Sequence, residues 1–225
     1  MQSDLPIPNL LVSVDPSQRS AGMAAIDMAN GEIVEVIHLT NDAAGESLHK
    51  GGWARPACCM GRAVAFVAQQ LSSLYSPVTI HTICELPANW FSEKAIASKD
   101  SEDIQKLYFS VGHLCGELSR IPVVKSIHLI LPGLWKGQKP KRIMVKRAKR
   151  FIPTITNHDV AEALLLGKLA YEKREHGEPS TLRLPEPFVQ VYGGEPHAPN
   201  KRSDNMGELH GMPNLGGVVI DYCVR

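Results

Sequence analysis

Long apolar runs and paired-cysteine motifs are both missing from this sequence. No segment approaches the roughly 20 apolar residues that a membrane-spanning helix needs, so we expect a soluble protein with no membrane partner. The first residues lack the basic flank and apolar centre of a secretory signal. The five cysteines form neither a Cys-x-x-Cys pair nor a zinc-ligand spacing. They therefore indicate free thiols in a reducing compartment, and we expect a cytoplasmic protein.

Acidic residues are absent from residues 135–150, which we call the basic segment. The whole chain has a formal net charge of only +1, so the remainder of the chain is net acidic. The cations of the basic segment are Lys136, Lys139, Lys141, Arg142, Lys146, Arg147, Lys149 and Arg150. Such asymmetry is typical of a polyanion site, and we predict that these side chains bind DNA. A solvated helix face is the alternative, since most charge runs are of that kind.

Apolar periodicity and turn signals predict the element order β-β-β-α-β-α-β-α. We place strands at 10–15, 22–28, 32–39, 78–85 and 126–131, and helices at 57–75, 101–118 and 157–175, with a further, partly helical stretch at 141–151. An Asn-Gly turn signal and short connections make the first three strands an antiparallel meander. The fourth strand follows a helical crossover and should lie parallel to the first. The predicted class is α/β, with a mixed five-stranded sheet of three antiparallel and two parallel strands flanked by helices.

The composition changes near residue 177, after which Pro, Gly, Asn and Glu are frequent. We therefore predict one folded domain over residues 1–176 and a Pro/Gly-rich C-terminal extension over residues 177–225. Residues 188–192 and 218–222 are candidate short strands within the extension.

Carboxylates from three distant segments are candidates for one site. Asp15 ends the first strand and Glu85 ends the fourth, where ligands bind if these two strands are neighbours at a switch in strand order. Asp159 and Glu162 are three residues apart in the last helix and share a face. Mg²⁺ prefers oxygen ligands, and two such ions can activate water and stabilise the leaving oxygen in phosphodiester hydrolysis.

Each of these carboxylates also has a purely structural interpretation. Asp15 could simply start an Asp-Pro turn, and Glu85 could be an exposed residue at the end of a strand. Asp159 forms a T-x-x-D capping box with Thr156, which would give it a structural role at the start of the helix. Glu162 has Lys168 as a candidate partner for a surface ion pair.

Four motifs taken together resemble the RuvC-type Holliday-junction resolvases of the RNase H-like superfamily, particularly the versions found in phages. They are Val-Asp15-Pro-Ser-Gln-Arg-Ser-Ala-Gly22, Ile-Cys-Glu85-Leu-Pro87, Pro132-Gly-Leu-Trp135-Lys-Gly137 and His158-Asp159-Val-Ala-Glu162-Ala-Leu. The resemblance covers roughly residues 10–172, the span of a single RNase H-like domain.

The resemblance implies a Mg²⁺-dependent DNA endonuclease that cleaves branched DNA. The implied catalytic residues, which are also the metal ligands, are Asp15, Glu85, Asp159 and Glu162, with His158 as a further candidate. It further implies two Mg²⁺ ions per site (or Mn²⁺), a homodimer that makes symmetrical cuts, and action in the host cytoplasm if the protein is phage-encoded.

Three other functions fit parts of the sequence. One is a nuclease for flaps or replication forks, and another is a structure-specific DNA-binding protein that has lost catalysis. The third is an ATPase of the actin-like or sugar-kinase type, whose fold also begins with strands and an aspartate. The turn after the first strand is poor in glycine, however, whereas such ATPases need a glycine-rich phosphate loop.

Overall fold

Three antiparallel strands open the fold, and two strands parallel to the first extend the sheet on one side. The computed structural model describes residues 9–41, 54–75, 78–86, 100–137, 139–175, 189–192 and 219–222. The strands within these ranges are β1 (Asn9–Asp15), β2 (Ser20–Asp27), β3 (Ile33–Thr40), β4 (Thr79–Glu85), β5 (Val124–Ile130), β6 (Val189–Tyr192) and β7 (Val219–Tyr222). The helices are α1 (Ala54–Leu74), α2 (Asp100–Leu118), α3 (Pro132–Trp135), α4 (Lys141–Ala148) and α5 (His158–Glu175).

The strand order is β6-β5-β4-β1-β2-β3-β7. Strand β1 pairs antiparallel with β2 and parallel with β4, and β4 pairs parallel with β5. The strand order therefore reverses at β1, as the sequence predicts. The mixed sheet of a three-strand meander and two parallel strands is confirmed.

The two outermost strands come from the C-terminal extension. Strand β6 adds parallel to β5 at one edge, and β7 adds antiparallel to β3 at the other. The prediction of strands near 188–192 and 218–222 is confirmed, so the sheet has seven strands within the described part of the chain. The division of the chain at residue 176 stays a prediction.

Strand β1 is buried on both faces because helices cover both sides of the sheet. Leu10, Val12 and Val14 point into a core shared with α1 and α2. Leu11 points to the opposite face and joins a core to which α5 contributes. Helix α4 packs against α5, and Ala148 lies in a cluster with residues of α5, β2 and β3. Because α5 packs against both the sheet and α4, most of its residues from Val160 to Tyr171 are buried.

Close approach of α5 to the sheet depends on glycine at position 22. A Cβ atom on Gly22 would collide with the backbone carbonyl of Asp159 at the start of α5. Further along the helix, Ser13 Oγ of β1 donates a hydrogen bond of 2.7 Å to the carbonyl oxygen of Ala163. These contacts fix the start of α5 against the ends of β1 and β2.

Within the residues that the structure describes, no helix is both long enough and apolar enough to cross a membrane. Cys58, Cys84 and Cys115, in the same ranges, are buried free thiols, and Cys59 is buried as well.

We expect Gly22→Ala to destabilise the protein by about 1–3 kcal/mol, the usual cost of overpacking a core. The added methyl must push the first turn of α5 away from the sheet. Urea unfolding followed by circular dichroism measures this cost. Gly112→Ala on α2 is the matched control, because a Cβ atom there meets nothing within 4 Å. The control should be neutral or stabilising by about 0.5–1 kcal/mol. Equal stability of the two variants would contradict the close packing of α5.

Candidate metal centre

Parallel pairing of β1 with β4 brings Asp15 and Glu85 together at the carboxyl ends of these strands. The register pairs Val14 with Cys84, so the next residue of each strand carries one of these carboxylates. Glu162 approaches from the first turns of α5. One oxygen from each of Asp15, Glu85 and Glu162 lies within 4.8 Å of the other two. We call these three carboxylates the acidic centre.

Asp159 lies beside the acidic centre. Its carboxylate accepts a hydrogen bond from Ser20 Oγ on β2, and its Oδ1 is 2.9 Å from His158 Nε2. Among the described residues, the group that offers oxygens at metal-binding separation is limited to the three carboxylates of the acidic centre. The structure therefore brings three of the four predicted carboxylates into one cluster and places the fourth next to it.

Helix α5 is capped by Asn157. Its Oδ1 accepts hydrogen bonds from the backbone N–H groups of Asp159 and Val160, at 2.8 and 3.1 Å. A side-chain oxygen that binds these donors is the usual N-cap arrangement. The capping interpretation of Asp159 is wrong, because this carboxylate bonds Ser20 and His158 instead.

Lys136 places a positive charge inside the acidic centre. Its Nζ lies 2.7 Å from Glu85 Oε2 and also contacts Glu162 Oε2. The one-turn helix α3 begins two residues after β5 ends, and this brings Lys136 back over the ends of β4 and β1. Lys136, predicted as a DNA contact, thus neutralises carboxylates in this structure. The surface ion pair considered for Glu162 is not formed, because the Nζ atom of Lys168 donates to the carbonyl oxygen of Gly31 at 3.1 Å.

Burial raises the pKa of Asp15 well above its usual range, and the negative charge of Glu85 raises it further, while Lys136 opposes the shift. Burial also raises the pKa of Glu85, against the lowering effect of Lys136. Burial by itself would lower the pKa of Lys136, but Glu85 and Asp15 outweigh it and the net shift is upward. Burial in the acidic centre therefore disfavours the ionised form of these two carboxyl groups even with the ammonium in place.

Trp135 is a site residue whose role no sequence pattern predicted. Its indole Nε1 donates a hydrogen bond of 2.9 Å to Glu85 Oε2, the same oxygen that Lys136 binds. The Pro-Gly-Leu-Trp-Lys motif was the available signal, since an indole that stands next to a lysine directly after a buried strand can reach the strand ends.

The other cations of the basic segment are exposed. Helix α4 carries four of these cations, and Lys149 and Arg150 follow it. Lys141 Nζ is 2.6 Å from His158 Nε2, which in turn contacts Asp159. Cationic side chains therefore run from the edge of the acidic centre outward along α4.

The donor chemistry of the acidic centre fits a hard divalent cation. All three clustered side chains offer carboxylate oxygens, the ligands that Mg²⁺ and Ca²⁺ take in proteins. An ammonium already bound by two of them demonstrates that the cluster attracts positive charge. Glu85, Glu162 and Asp15 are the residues that would hold an ion, and Asp159 is near enough to influence the charge of Asp15.

A solved structure of RuvC from T. thermophilus in complex with a Holliday junction substrate is similar to this chain. The TM-score is 0.50 with 10% sequence identity, over 75% of this chain and 96% of that chain. At this identity the similarity establishes the fold, which confirms the RNase H-like α/β architecture expected from the sequence. No protein-family model matches the chain, and no curated protein does so either.

We expect Lys136→Met to lower the free energy of unfolding by about 3 kcal/mol at pH 8, near the low end for a buried ion pair that loses one partner. Without the ammonium, the pKa values of the carboxylates rise further in the folded state than in the unfolded chain. The folded variant then binds more protons above the ordinary glutamate pKa, so its stability falls as pH rises. The loss relative to the unmodified protein should therefore be smaller at pH 5 than at pH 8.

Thermal or urea unfolding at several pH values, in the presence of a chelator, measures this effect. Lys139→Met is the matched control. Lys139 is exposed and its ammonium contacts only the backbone oxygen of Lys136 among its described hydrogen bonds. The control should change stability by no more than about 0.5 kcal/mol at any pH. A Lys136→Met variant that behaves like the control would contradict the neutralising role.

Proposed function

We propose that this protein is a divalent-metal-dependent endonuclease that cleaves phosphodiester bonds in branched DNA, as a Holliday-junction resolvase does. The observation that carries the proposal is the convergence of Asp15, Glu85 and Glu162 at the switch point of an RNase H-like sheet. The similarity in fold to a RuvC structure that contains a Holliday junction supports the same function.

The proposed cofactor is Mg²⁺, with Mn²⁺ as a substitute and two ions per site. The ligands in this proposal are Asp15, Glu85 and Glu162, with Asp159 as a ligand of the second ion. Bound divalent ions would supply a nucleophilic water and stabilise the charge that develops on the phosphate and the leaving oxygen.

The chain's own side chains keep these ligands in place. Trp135 holds Glu85 through the indole hydrogen bond, and Ser20 holds Asp159 through its hydroxyl group. Lys136 holds Glu85 and Glu162 together when no other cation is bound, so any ion that binds these oxygens competes with the ammonium. In this proposal the ammonium of Lys136, once released from the two carboxylates, binds a phosphate oxygen of DNA.

The proposed substrate is a DNA junction, bound as a complex with a homodimer whose two sites cut symmetrically. The exposed cations of α4 supply affinity for phosphates, which needs no sequence recognition. In this proposal residues 1–176 form the nuclease domain, residues 177–225 form an extension, and the protein acts in the cytoplasm. Flaps and forks are alternative branched substrates that the same centre would cleave.

One observation favours a second candidate function. Lys136 already neutralises two carboxylates of the acidic centre. If this ion pair persisted with DNA bound, the protein would be a structure-specific DNA-binding protein without catalysis. Cleavage of DNA in the presence of Mg²⁺ separates the two functions.

We expect Asp15→Asn to reduce Mg²⁺-dependent cleavage of a synthetic four-way junction by more than about 100-fold. Loss of a residue that only supports a metal ligand typically costs 10–100-fold, and loss of the ligand itself should cost more. Linear duplex and flap substrates, each with and without Mg²⁺, identify the preferred DNA. DNA binding should persist, because removal of a negative charge lessens repulsion of phosphate.

Asp27→Asn is the matched control for this variant. Asp27 ends β2 at the opposite end of the strands from Asp15, beside Leu10 at the start of β1. Its Oδ1 accepts a hydrogen bond from the backbone N–H of Ala29 and caps the turn there. Its replacement should leave the cleavage rate unchanged. Full activity in Asp15→Asn would contradict the proposed centre.

The exposed part of the basic segment should control the salt dependence of DNA binding. We expect replacement of Lys146, Arg147, Lys149 and Arg150 by Gln to flatten the slope of log K against log[salt] by roughly one unit for each phosphate that is no longer neutralised. Fluorescence anisotropy with duplex DNA measures the slope. The control is Arg62→Gln with Arg120→Gln, which removes positive charge from the α1–α2 side of the sheet. An unchanged slope in the fourfold variant would mean that these cations only face solvent.

A further inference from the structure

A groove between α4 and α5 lies next to the acidic centre, and none of the three clustered carboxylates lines it. Its volume is about 380 Å³. The buried side chain of Met144 on α4 and the half-buried Leu165 on α5 contribute apolar surface to it. Trp135 and Phe151 add two aromatic rings, so the groove is suited to a flat apolar group.

Phe151 is held in position although much of it is exposed. It follows α4 directly and retains 42% of its accessible surface. The Lys168 ammonium lies 5.3 Å from the ring centroid, and its hydrogen bond to the carbonyl oxygen of Gly31 fixes it there. A cation over an aromatic ring stabilises the ring's position. An exposed aromatic side chain with a fixed ring is a ready stacking surface.

Two guanidinium groups line the same groove. Arg147 and Arg150 are exposed and belong to the basic segment. Arginine presents a planar set of donors that fits the oxygens of a phosphate group. Glu172 is the acidic member of the lining, and its carboxylate can accept hydrogen bonds from an exocyclic amino group. Aromatic rings, apolar surface and arginine together match a nucleotide better than a phosphate or an apolar peptide alone.

Trp135 belongs to both the groove and the acidic centre. Its ring lines the groove, while its Nε1 donates to Glu85 Oε2 at 2.9 Å. A group bound in the groove is therefore one side chain away from a carboxylate of the centre.

We propose that this groove binds one unpaired nucleotide of DNA, with the base against Phe151 and Trp135 and the phosphate on Arg147 and Arg150. The inference rests on the proposed function for its choice of DNA as the ligand. A fully paired duplex keeps its bases stacked inside the helix, whereas a branch point or single strand offers a base to an aromatic surface. The groove thus favours branched over continuous DNA at a position separate from the metal ligands.

The test compares Phe151→Ala with Phe66→Ala in the full-length protein. Phe66 is 50% exposed on α1, on the opposite side of the sheet, and serves as a matched control. Fluorescence anisotropy with a labelled oligothymidine and with a blunt duplex, both in a chelator, gives the dissociation constants. We expect Phe151→Ala to weaken oligothymidine binding about 10-fold, within the range for loss of one stacked base. Duplex binding should change less than about 2-fold, and Phe66→Ala should change neither.

A loss confined to the oligothymidine supports the groove, and unchanged oligothymidine binding or an equal loss on duplex overturns it. A second readout uses the unmodified protein and an oligonucleotide that carries a fluorescent adenine analogue. Stacking on an aromatic ring should quench this analogue, and the quenching should persist in Phe66→Ala; absence of quenching in the unmodified protein also overturns the proposal.

Failure of the nuclease function is detected separately, by the unmodified protein with a four-way junction and Mg²⁺. A protein that cleaves no DNA but shows the Phe151-dependent binding would refute the nuclease and retain the groove. If the unmodified protein cleaves junctions and the Phe151→Ala variant binds oligothymidine as tightly as the unmodified protein does, the groove is refuted and the nuclease function is retained.

Discussion

Three carboxylates held within 4.8 Å of one another repel, and much of the fold serves to keep them together. Burial makes this repulsion stronger, because charges that leave water interact through a lower effective dielectric constant. Desolvation by burial is the main cause of the raised pKa of Asp15, and repulsion from Glu85 adds to it. Such a cluster persists only if rigid elements carry the residues and a positive charge offsets them. Strands β1 and β4 and helix α5 supply the rigidity, and Lys136 supplies the charge.

The same constraint links the packing of the core to the proposed chemistry. Glu162 reaches the ends of β1 and β4 because α5 lies close to the sheet, and that closeness requires the missing side chain at Gly22. Trp135 and Lys136 reach Glu85 because the chain turns back immediately after β5. Packing at Gly22 and the turn after β5 thus decide whether the carboxylates share one cation. In this structure Lys136 supplies the positive charge that Glu85 and Glu162 share.

The sequence predicted the sheet and the proximity of Asp15 to Glu85, because both follow from local patterns. Strand ends are visible as apolar runs that stop at a turn signal, so Asp15 and Glu85 could be assigned to one edge once a crossover implied parallel strands. A spacing of three in a helix also placed Asp159 and Glu162 on one face. The sequence could not tell whether Asp159 or Glu162 reaches the acidic centre, because that depends on the orientation of α5 about its own axis against the sheet.

Contacts between side chains from distant segments could not be predicted from the sequence. The charge of the basic segment predicted a positive surface that includes Lys136. The carboxylates that its ammonium contacts could not be predicted, because they depend on the position of the one-turn helix α3. The N-cap of α5 was assigned to the wrong residues because Thr156 and Asn157 are adjacent and both are good capping residues; backbone geometry selects Asn157. The groove between α4 and α5 combines residues from α3 to α5, and no spacing in the sequence indicates it.

The most direct test of the metal centre is a crystal structure of the protein grown with Mn²⁺ and measured for anomalous scattering. We expect an anomalous peak at coordination distance, about 2 Å, from oxygens of Asp15, Glu85 and Glu162, with the Lys136 ammonium moved away from at least one of its two carboxylates. A density map in which Lys136 still bridges Glu85 and Glu162, with no anomalous peak at saturating Mn²⁺, would contradict the account.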